Sequence, residues 1–309
     1  MPRSYRYLHY DVFTNRAFEG NQLAVYLDGR GLSTEMMQTI AKEMNFSETT
    51  FVLPPEAKDT DVRMRIFTPG SELPMAGHPV IGSTFALARS GLIAPATERF
   101  VFGLGVGPLE VSLKWKADAL QFVWMSQLKP TFGDPIRDPA RAAAALSLPA
   151  TAITGKPAQV VSCGVPFLFV PLATRRAVDS AALNRAEYGV LVESMSPRPN
   201  GVFLFSTEVP GEPIERDRKR ATVYSRMFAP DLGVGEDPAT GSASGPLGCY
   251  LVRHEMVKPE NASSIISAQG VKMGRPSEIH ISIGVRGNDI SSVQVGGESV
   301  LAGEGTLYV

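Results

Sequence analysis

From Tyr5 to Phe13 apolar and polar side chains alternate loosely, Asn15 to Gly20 is polar and turn-like, and Leu23 to Leu27 is apolar again. A period near two, interrupted by turn residues, predicts strand, loop, strand. The period then lengthens. Met36, Met37, Ile40, Ala41 and Met44 share one helical face, Ser33 is placed to cap the first turn, and Glu35 lies where the helix dipole favours an acid. Strands are predicted at Thr49 to Leu53 and at Met64 to Phe67, the second stopped by Thr68-Pro69-Gly70. Val80, Ile81, Phe85, Ala86, Leu87 and Ala88 make the next helix apolar nearly all round, so it is expected to be buried. Pro79 suits its first position, His78 its N-cap and Gly91 its left-handed C-cap.

Strand signals dominate beyond this helix, at Val101 to Lys116, Gln121 to Met125, Val160 to Val170, Val202 to Phe205, Ile279 to Val285 and Ser291 to Val295. Gly103-Leu104-Gly105-Val106-Gly107-Pro108 has the wrong spacing for a dinucleotide fingerprint and precedes a strand, so it reads as a hairpin. Asp138 to Leu146 is predicted helical, and the proline-rich Met125 to Pro139 is the expected crossover between halves.

The halves are suggested by an internal echo. Arg65-Ile66-Phe67-Thr68-Pro69 reappears as Arg226-Met227-Phe228-Ala229-Pro230. After a shift of three residues, Ala76-Gly77-His78 aligns with Thr240-Gly241-Ser242, and Leu87-Ala88-Arg89 with Leu251-Val252-Arg253. Weaker matches join Phe51-Val52-Leu53 to Phe203-Leu204-Phe205, and Leu23 to Leu27 with Phe167 to Pro171. One long period repeated twice is not a solenoid. It predicts an α/β (α+β) chain of two similar domains: a repeat over residues 1–125, with a C-terminal strand at 298–309 available to complete it, and a second over 126–297.

Composition narrows the chemistry. Of 309 residues, 30 are Lys or Arg and 31 Asp or Glu, a formal net charge of −1 that lacks the basic surplus used in sequence-independent nucleic-acid binding. Two cysteines, Cys163 and Cys249, and four scattered histidines provide neither a disulfide framework nor metal-ligand spacing. The opening MPRSYRYLHY has no uninterrupted apolar core of a signal peptide, and no run is long enough to span a membrane, so a cytoplasmic location is expected. Without export, Asn45-Phe46-Ser47 and Asn261-Ala262-Ser263 read as chance glycosylation matches. The basic run Arg216 to Arg220, with Glu212 and Glu215 beside it, reads as a solvated loop rather than a partner-binding patch.

If the two loop-to-helix junctions face one cleft, the N–H groups around Gly77 and around Thr240-Gly241-Ser242 would bind a carboxylate, with glycine permitting close approach. At the first junction His78 is either a hydrogen-bond or proton donor to substrate or a plain cap, and a helix N-terminus favours its neutral ring. Asp237, before Pro238, could hold that ring or a substrate amine, or simply form an Asx-turn. Ser242 is an N-cap, a substrate ligand or both. Glu48, read by itself, is an ordinary surface glutamate at a loop-to-strand boundary.

Taken together, NFSETTF (Asn45 to Phe51), RIFTPGSELPMAGHP (Arg65 to Pro79), EDPATGSASGP (Glu236 to Pro246), Asp11 to Val25 with its Gly20-Asn21, and Gln269-Gly270 with Met273 to Ser277 resemble the signature segments of the phenazine-biosynthesis isomerase (PhzF-like) family. The resemblance runs from about residue 5 to the C-terminus. It implies the fold of diaminopimelate epimerase, in which two similar domains each wrap a curved, barrel-like sheet around a central helix. It also implies a cofactor-independent isomerase, often homodimeric, that acts on a small carboxylate-bearing substrate. The family's catalytic glutamate, histidine and aspartate fall on Glu48, His78 and Asp237, and substrate binding falls on Asn21, Gly77, Thr240, Gly241 and Ser242. In related cysteine-dependent racemases a Cys precedes the Gly of each loop, where this chain has Ala76 and Thr240. Two-base inversion is thereby disfavoured, and a single carboxylate moving a proton within its substrate is expected. The alternatives are a racemase or epimerase with unconventional bases, or a catalytically idle interaction protein of the same fold.

Overall fold

The computed structural model describes residues 3–193, 195–208, 221–232, 234–287 and 289–309; the basic run Arg216 to Arg220 lies outside them. The chain divides into two compact units, Met1–Ser126 with Gly296–Val309, and Gln127–Val295.

The first unit opens with β1 (Ser4–Val12), β2 (Asn21–Tyr26), α1 (Thr34–Met44), β3 (Glu48–Leu53), β4 (Val62–Phe67) and β5 (Glu72–Leu73). It continues with α2 (Gly77–Arg89), β6 (Arg99–Leu104), β7 (Gly107–Lys116) and β8 (Ala119–Gln127), and it includes the C-terminal strand Ser299–Tyr308, which pairs antiparallel with β1. From β1 the ladder runs antiparallel to β2, parallel to β3, antiparallel to β4, parallel to β6, then antiparallel to β7 and β8, with β5 returning against β4.

The second unit contains β9 (Thr131–Ile136), α3 (Pro139–Ala145), β10 (Ala158–Ser162), β11 (Pro166–Pro171), α4 (Arg175–Ser180), α5 (Arg185–Glu193) and β12 (Val202–Ser206). Next come β13 (Val223–Ala229), β14 (Val234–Asp237), α6 (Gly241–Arg253), β15 (Ile265–Gln269), β16 (Ser277–Arg286) and β17 (Asp289–Gly297), so the C-terminal strand is β18. Its ladder repeats that of the first unit. β9 and β10 are antiparallel, as are β10 and β11; β11 and β12 are parallel, β12 and β13 antiparallel, β13 and β15 parallel, β15 and β16 antiparallel, and β14 returns against β13. Each unit therefore uses two parallel pairings in the same places, each carried by a helical crossover.

The helices form where the sequence signals them. Ser33 Oγ accepts from Met36 N–H at 3.2 Å, and Met37, Ile40 and Ala41 are buried on one face of α1. In α2 every residue from Gly77 to Leu87 is buried. Gly91 adopts φ +77°, and the Leu92 and Gly91 N–H groups bond Leu87 and Ala88 carbonyls at 3.0 and 3.1 Å, a Schellman closure. Asp138 caps α3 through Ala140 N–H. β11 and β12 are apolar on both faces because both are covered. Phe203 and Phe205 pack with Leu247 and Tyr250 of α6, whereas Val202 and Leu204 pack with Val178, Leu191 and Ala142 of the outer helices.

Three expectations are corrected. Val160 to Val170 is a hairpin turning at Cys163 to Val165, not one strand. The crossover segment contains strand β9, whose Pro135 stands opposite Gln159 where the register shifts, a position that dispenses with one ladder bond. The match of Phe51 to Phe203 is one residue out of register: Phe51 faces Arg65 in β4, whereas the residue facing Arg226 is Leu204. A slip of one reverses the faces of a strand. Phe51 indeed packs with Met37 and Ile40 of α1, on the outer side that Leu204 occupies in the second unit.

Among the described residues no helix is long and apolar enough to cross a membrane.

Candidate active site

Glu48 is the first residue of β3 and stands opposite Leu23 of β2. Its Oε2 lies 3.2 Å from His78 Nε2, although thirty positions separate the two in sequence. His78 is the second residue of α2, whose N-cap is Ala76; Pro79 is the third helical residue rather than the first. The imidazole is almost wholly buried, and Asn21 Nδ2 lies 3.3 Å from its Nδ1. Burial holds its pKa down to about 3, with the Gln22 backbone acting in the other direction, so the ring is neutral. Asn21 and the Gln22 backbone hold the ring so that its other nitrogen, Nε2, lies against the Glu48 carboxylate. Asn21, expected to bind substrate, is fully buried and orients the histidine.

A neutral buried histidine couples folding to pH. The unfolded chain takes up this proton near pH 6.5 and the folded chain only near 3. The contribution to stability is therefore complete above pH 6.5 and is lost at about 1.4 kcal/mol per unit as pH falls toward 3. Between pH 7 and 5, wild type should lose about 2 kcal/mol more unfolding free energy in urea than His78→Gln. Equal losses in the two proteins would mean that His78 is protonated in the native state.

In the second unit Asp237 ends β14 and Thr240 is the N-cap of α6; Ser242 is the second helical residue rather than the cap, and it is half-buried. Neither Ala76 nor Thr240 caps its helix with a side-chain hydrogen bond, and neither helix has an acid in its first turn. Such termini keep backbone N–H groups and positive dipole charge available to an anion. The Thr240 hydroxyl donates to Asp237 Oδ2 at 2.5 Å, and its N–H donates to Gln269 Oε1 at 3.1 Å. Both donors of Thr240 are thus engaged inside the protein. Gln269 was visible in the sequence only as part of a signature segment, with no individual role.

The repeated ladder shows how unevenly the chemistry is distributed. Register through Arg65 and Arg226 makes Gly201 the counterpart of Glu48. A Cβ at Gly201 would lie 2.6 Å from the Phe228 carbonyl oxygen, so that position admits no side chain. Asp237 pairs with Met227 as Leu73 pairs with Ile66, so the first unit has leucine where the second has its carboxylate. Each unit carries an acid that the other lacks.

The sequence matches the family described as phenazine biosynthesis-like protein over residues 10–305. The chain belongs to the PhzF-like family. It is 33% identical to the trans-2,3-dihydro-3-hydroxyanthranilate isomerase of Pseudomonas aeruginosa over 99% of this chain and 100% of that one. An uncharacterized isomerase of Mesorhizobium japonicum is 35% identical, with 98% of each chain covered. The crystal structure of a PhzF-family phenazine biosynthesis protein of Bacillus anthracis superposes with a TM-score of 0.84 at 25% identity, over 99% of this chain and 100% of that chain. A hydroxyproline epimerase of Agrobacterium vitis shares the fold, with a TM-score of 0.66 at 13% identity over 99% and 93% of the two chains. This PhzF-like protein is accordingly an isomerase with an epimerase-like fold.

Proposed function

We propose that this PhzF-like isomerase moves a proton within a small amino- or hydroxy-carboxylate by single-carboxylate acid/base catalysis, with a dihydro-hydroxyanthranilate as the first substrate to test. The observation that carries the reading is the Glu48–His78 contact in one repeat, matched by a glycine without side-chain space at the equivalent place in the other. A two-base racemase needs a proton carrier on each face of the substrate carbon; the second unit has no counterpart of Glu48, and its own acid, Asp237, is engaged by the Thr240 hydroxyl. Ala76 and Thr240, where cysteine-dependent relatives carry thiols, add no second base.

In this reading Glu48 takes the proton from carbon and returns it elsewhere on the same face. Neutral His78, held in turn by Asn21, packs against the carboxylate and keeps it in place. Asp237, steadied by Thr240, accepts from a substrate amine or hydroxyl, and the uncapped N–H groups at the start of α6, at Gly241-Ser242, receive the substrate carboxylate. Incubating the protein with trans-2,3-dihydro-3-hydroxyanthranilate in D₂O and following the product by NMR tests it. One ring hydrogen should move, with at most one solvent deuteron incorporated and no inversion at carbon. Inversion, with solvent hydrogen delivered to the opposite face, would replace this reading with the racemase.

A further inference from the structure

Gln269, at the end of β15, is fully buried and directs its side-chain hydrogen bonds onto the segment that carries Asp237. Its Nε2 donates to the Asp237 carbonyl at 2.8 Å and to Thr240 Oγ1 at 2.9 Å, and its Oε1 accepts from Thr240 N–H at 3.1 Å. A threonine hydroxyl has one proton. Because Gln269 Nε2 already donates to Thr240 Oγ1, that oxygen must turn its own proton elsewhere, and the partner it meets is Asp237 Oδ2 at 2.5 Å.

The first repeat shows that the fold itself needs none of this. Register through β4 and β6 and through β13 and β15 equates Leu104 with Gln269. Leu73 and Ala76 stand where Asp237 and Thr240 do. The equivalence extends to the next residues: a Cβ on Gly105 would strike Pro74, and one on Gly270 would strike Pro238. The same strand-to-helix junction is thus built once from Leu73, Ala76 and Leu104, and once from Asp237, Thr240 and Gln269. An apolar trio suffices for folding, so the polar trio serves the carboxylate.

We propose that Gln269 is a positioning residue that sets the direction of the Thr240 hydroxyl hydrogen bond and so holds Asp237 as an oriented acceptor for substrate. The inference rests on the proposed function for the use made of Asp237, but not for the hydrogen-bond direction itself. The other ionisable groups on the elements packed around this turn are Arg226 and Glu236, which pair with each other, Tyr224 on β13, Cys249, Tyr250 and Arg253 on α6, Lys272 and Arg275 in the turn after β15, and Glu278, His280 and Arg286 on β16.

The test compares wild type with Gln269→Glu, Thr240→Val and Thr240→Ser, reading the Asp237 carboxyl ¹³C titration by NMR and the pH profile of kcat/KM on trans-2,3-dihydro-3-hydroxyanthranilate. In Gln269→Glu the new carboxylate takes the Thr240 proton and adds like charge, so the Asp237 titration and the acid limb should both move up by about one pH unit or more. Thr240→Val should move them in the same direction, and Thr240→Ser should leave them at wild-type positions. If Gln269→Glu fails to fold, the two Thr240 variants decide. A titration unchanged in Thr240→Val, or displaced equally in Thr240→Ser, overturns the inference. A displaced ¹³C titration in a protein without turnover overturns the proposed function and leaves the inference standing.

Discussion

Glu48→Gln should lower kcat by about 10²- to 10⁴-fold, the usual worth of a positioned proton transfer, and leave KM near wild type. The amide keeps the shape of the side chain, so its packing against His78 survives. It lacks a basic oxygen, so proton abstraction stops. Loss confined to kcat places Glu48 in the chemical step. Steady-state kinetics with dihydro-hydroxyanthranilate, run beside D₂O exchange, measure it. Wild-type turnover in this variant would remove Glu48 from the mechanism. His78, neutral across the working pH range, should contribute no ionisation to the profile between pH 5 and 8.

The second large effect is on stability. Arg226→Ala should destabilise the second unit by about 3–5 kcal/mol, whereas Arg65→Ala should cost the first unit about 1 kcal/mol. The two arginines are equivalent members of the echo, and each forms a two-pronged pair with a glutamate on the returning strand. Arg65 meets Glu72 at 2.7 and 2.6 Å, and Arg226 meets Glu236 at 2.8 Å on both prongs. Each also lies over a phenylalanine ring, Phe67 or Phe228. Burial separates them. The Arg226 side chain is 8% exposed against 19% for Arg65, and its Nη1 also satisfies the Val178 and Ala181 carbonyls at the end of α4. Removing it strands a half-buried carboxylate and two carbonyls together. A fall of about 10 °C in Tm for Arg226→Ala should accompany a small change for Arg65→Ala, read by calorimetry. Equal shifts would show that the ion pair rather than its burial sets the cost. Glu236 and Asp237 are adjacent, so this clamp also anchors the strand that presents the candidate carboxylate.

Much of this was legible along the chain. Ser33 before an amphipathic run, Gly91 after an apolar helix, and Arg-x-Phe-x-Pro occurring twice are local signals, and local signals survive without knowledge of packing. The three-residue shift in the echo has a direct counterpart: the loop between Arg226 and Glu236 is three residues longer than that between Arg65 and Glu72. Lowest visibility belonged to β9, because prolines argue against strands unless a register shift accommodates them. The pairing of Phe51 with Phe203 misled because residue type was matched where sheet register decides the face.

By itself, the order of residues determined that the protein is a doubled α/β chain, that no thiol precedes either loop glycine, and that His78, Asp237 and Ser242 are groups to examine, whereas Glu48 stood out only through the resemblance to the PhzF-like family. Tertiary structure alone decided what those groups touch. Only folding brings Glu48 to His78, buries the imidazole so that it stays neutral, and turns Gln269 onto Thr240. The reason is physical: propensity, capping and repetition act within a few residues along the chain. Hydrogen-bond direction, desolvation and the space denied to a side chain at Gly201 depend on atoms that only the finished fold makes neighbours.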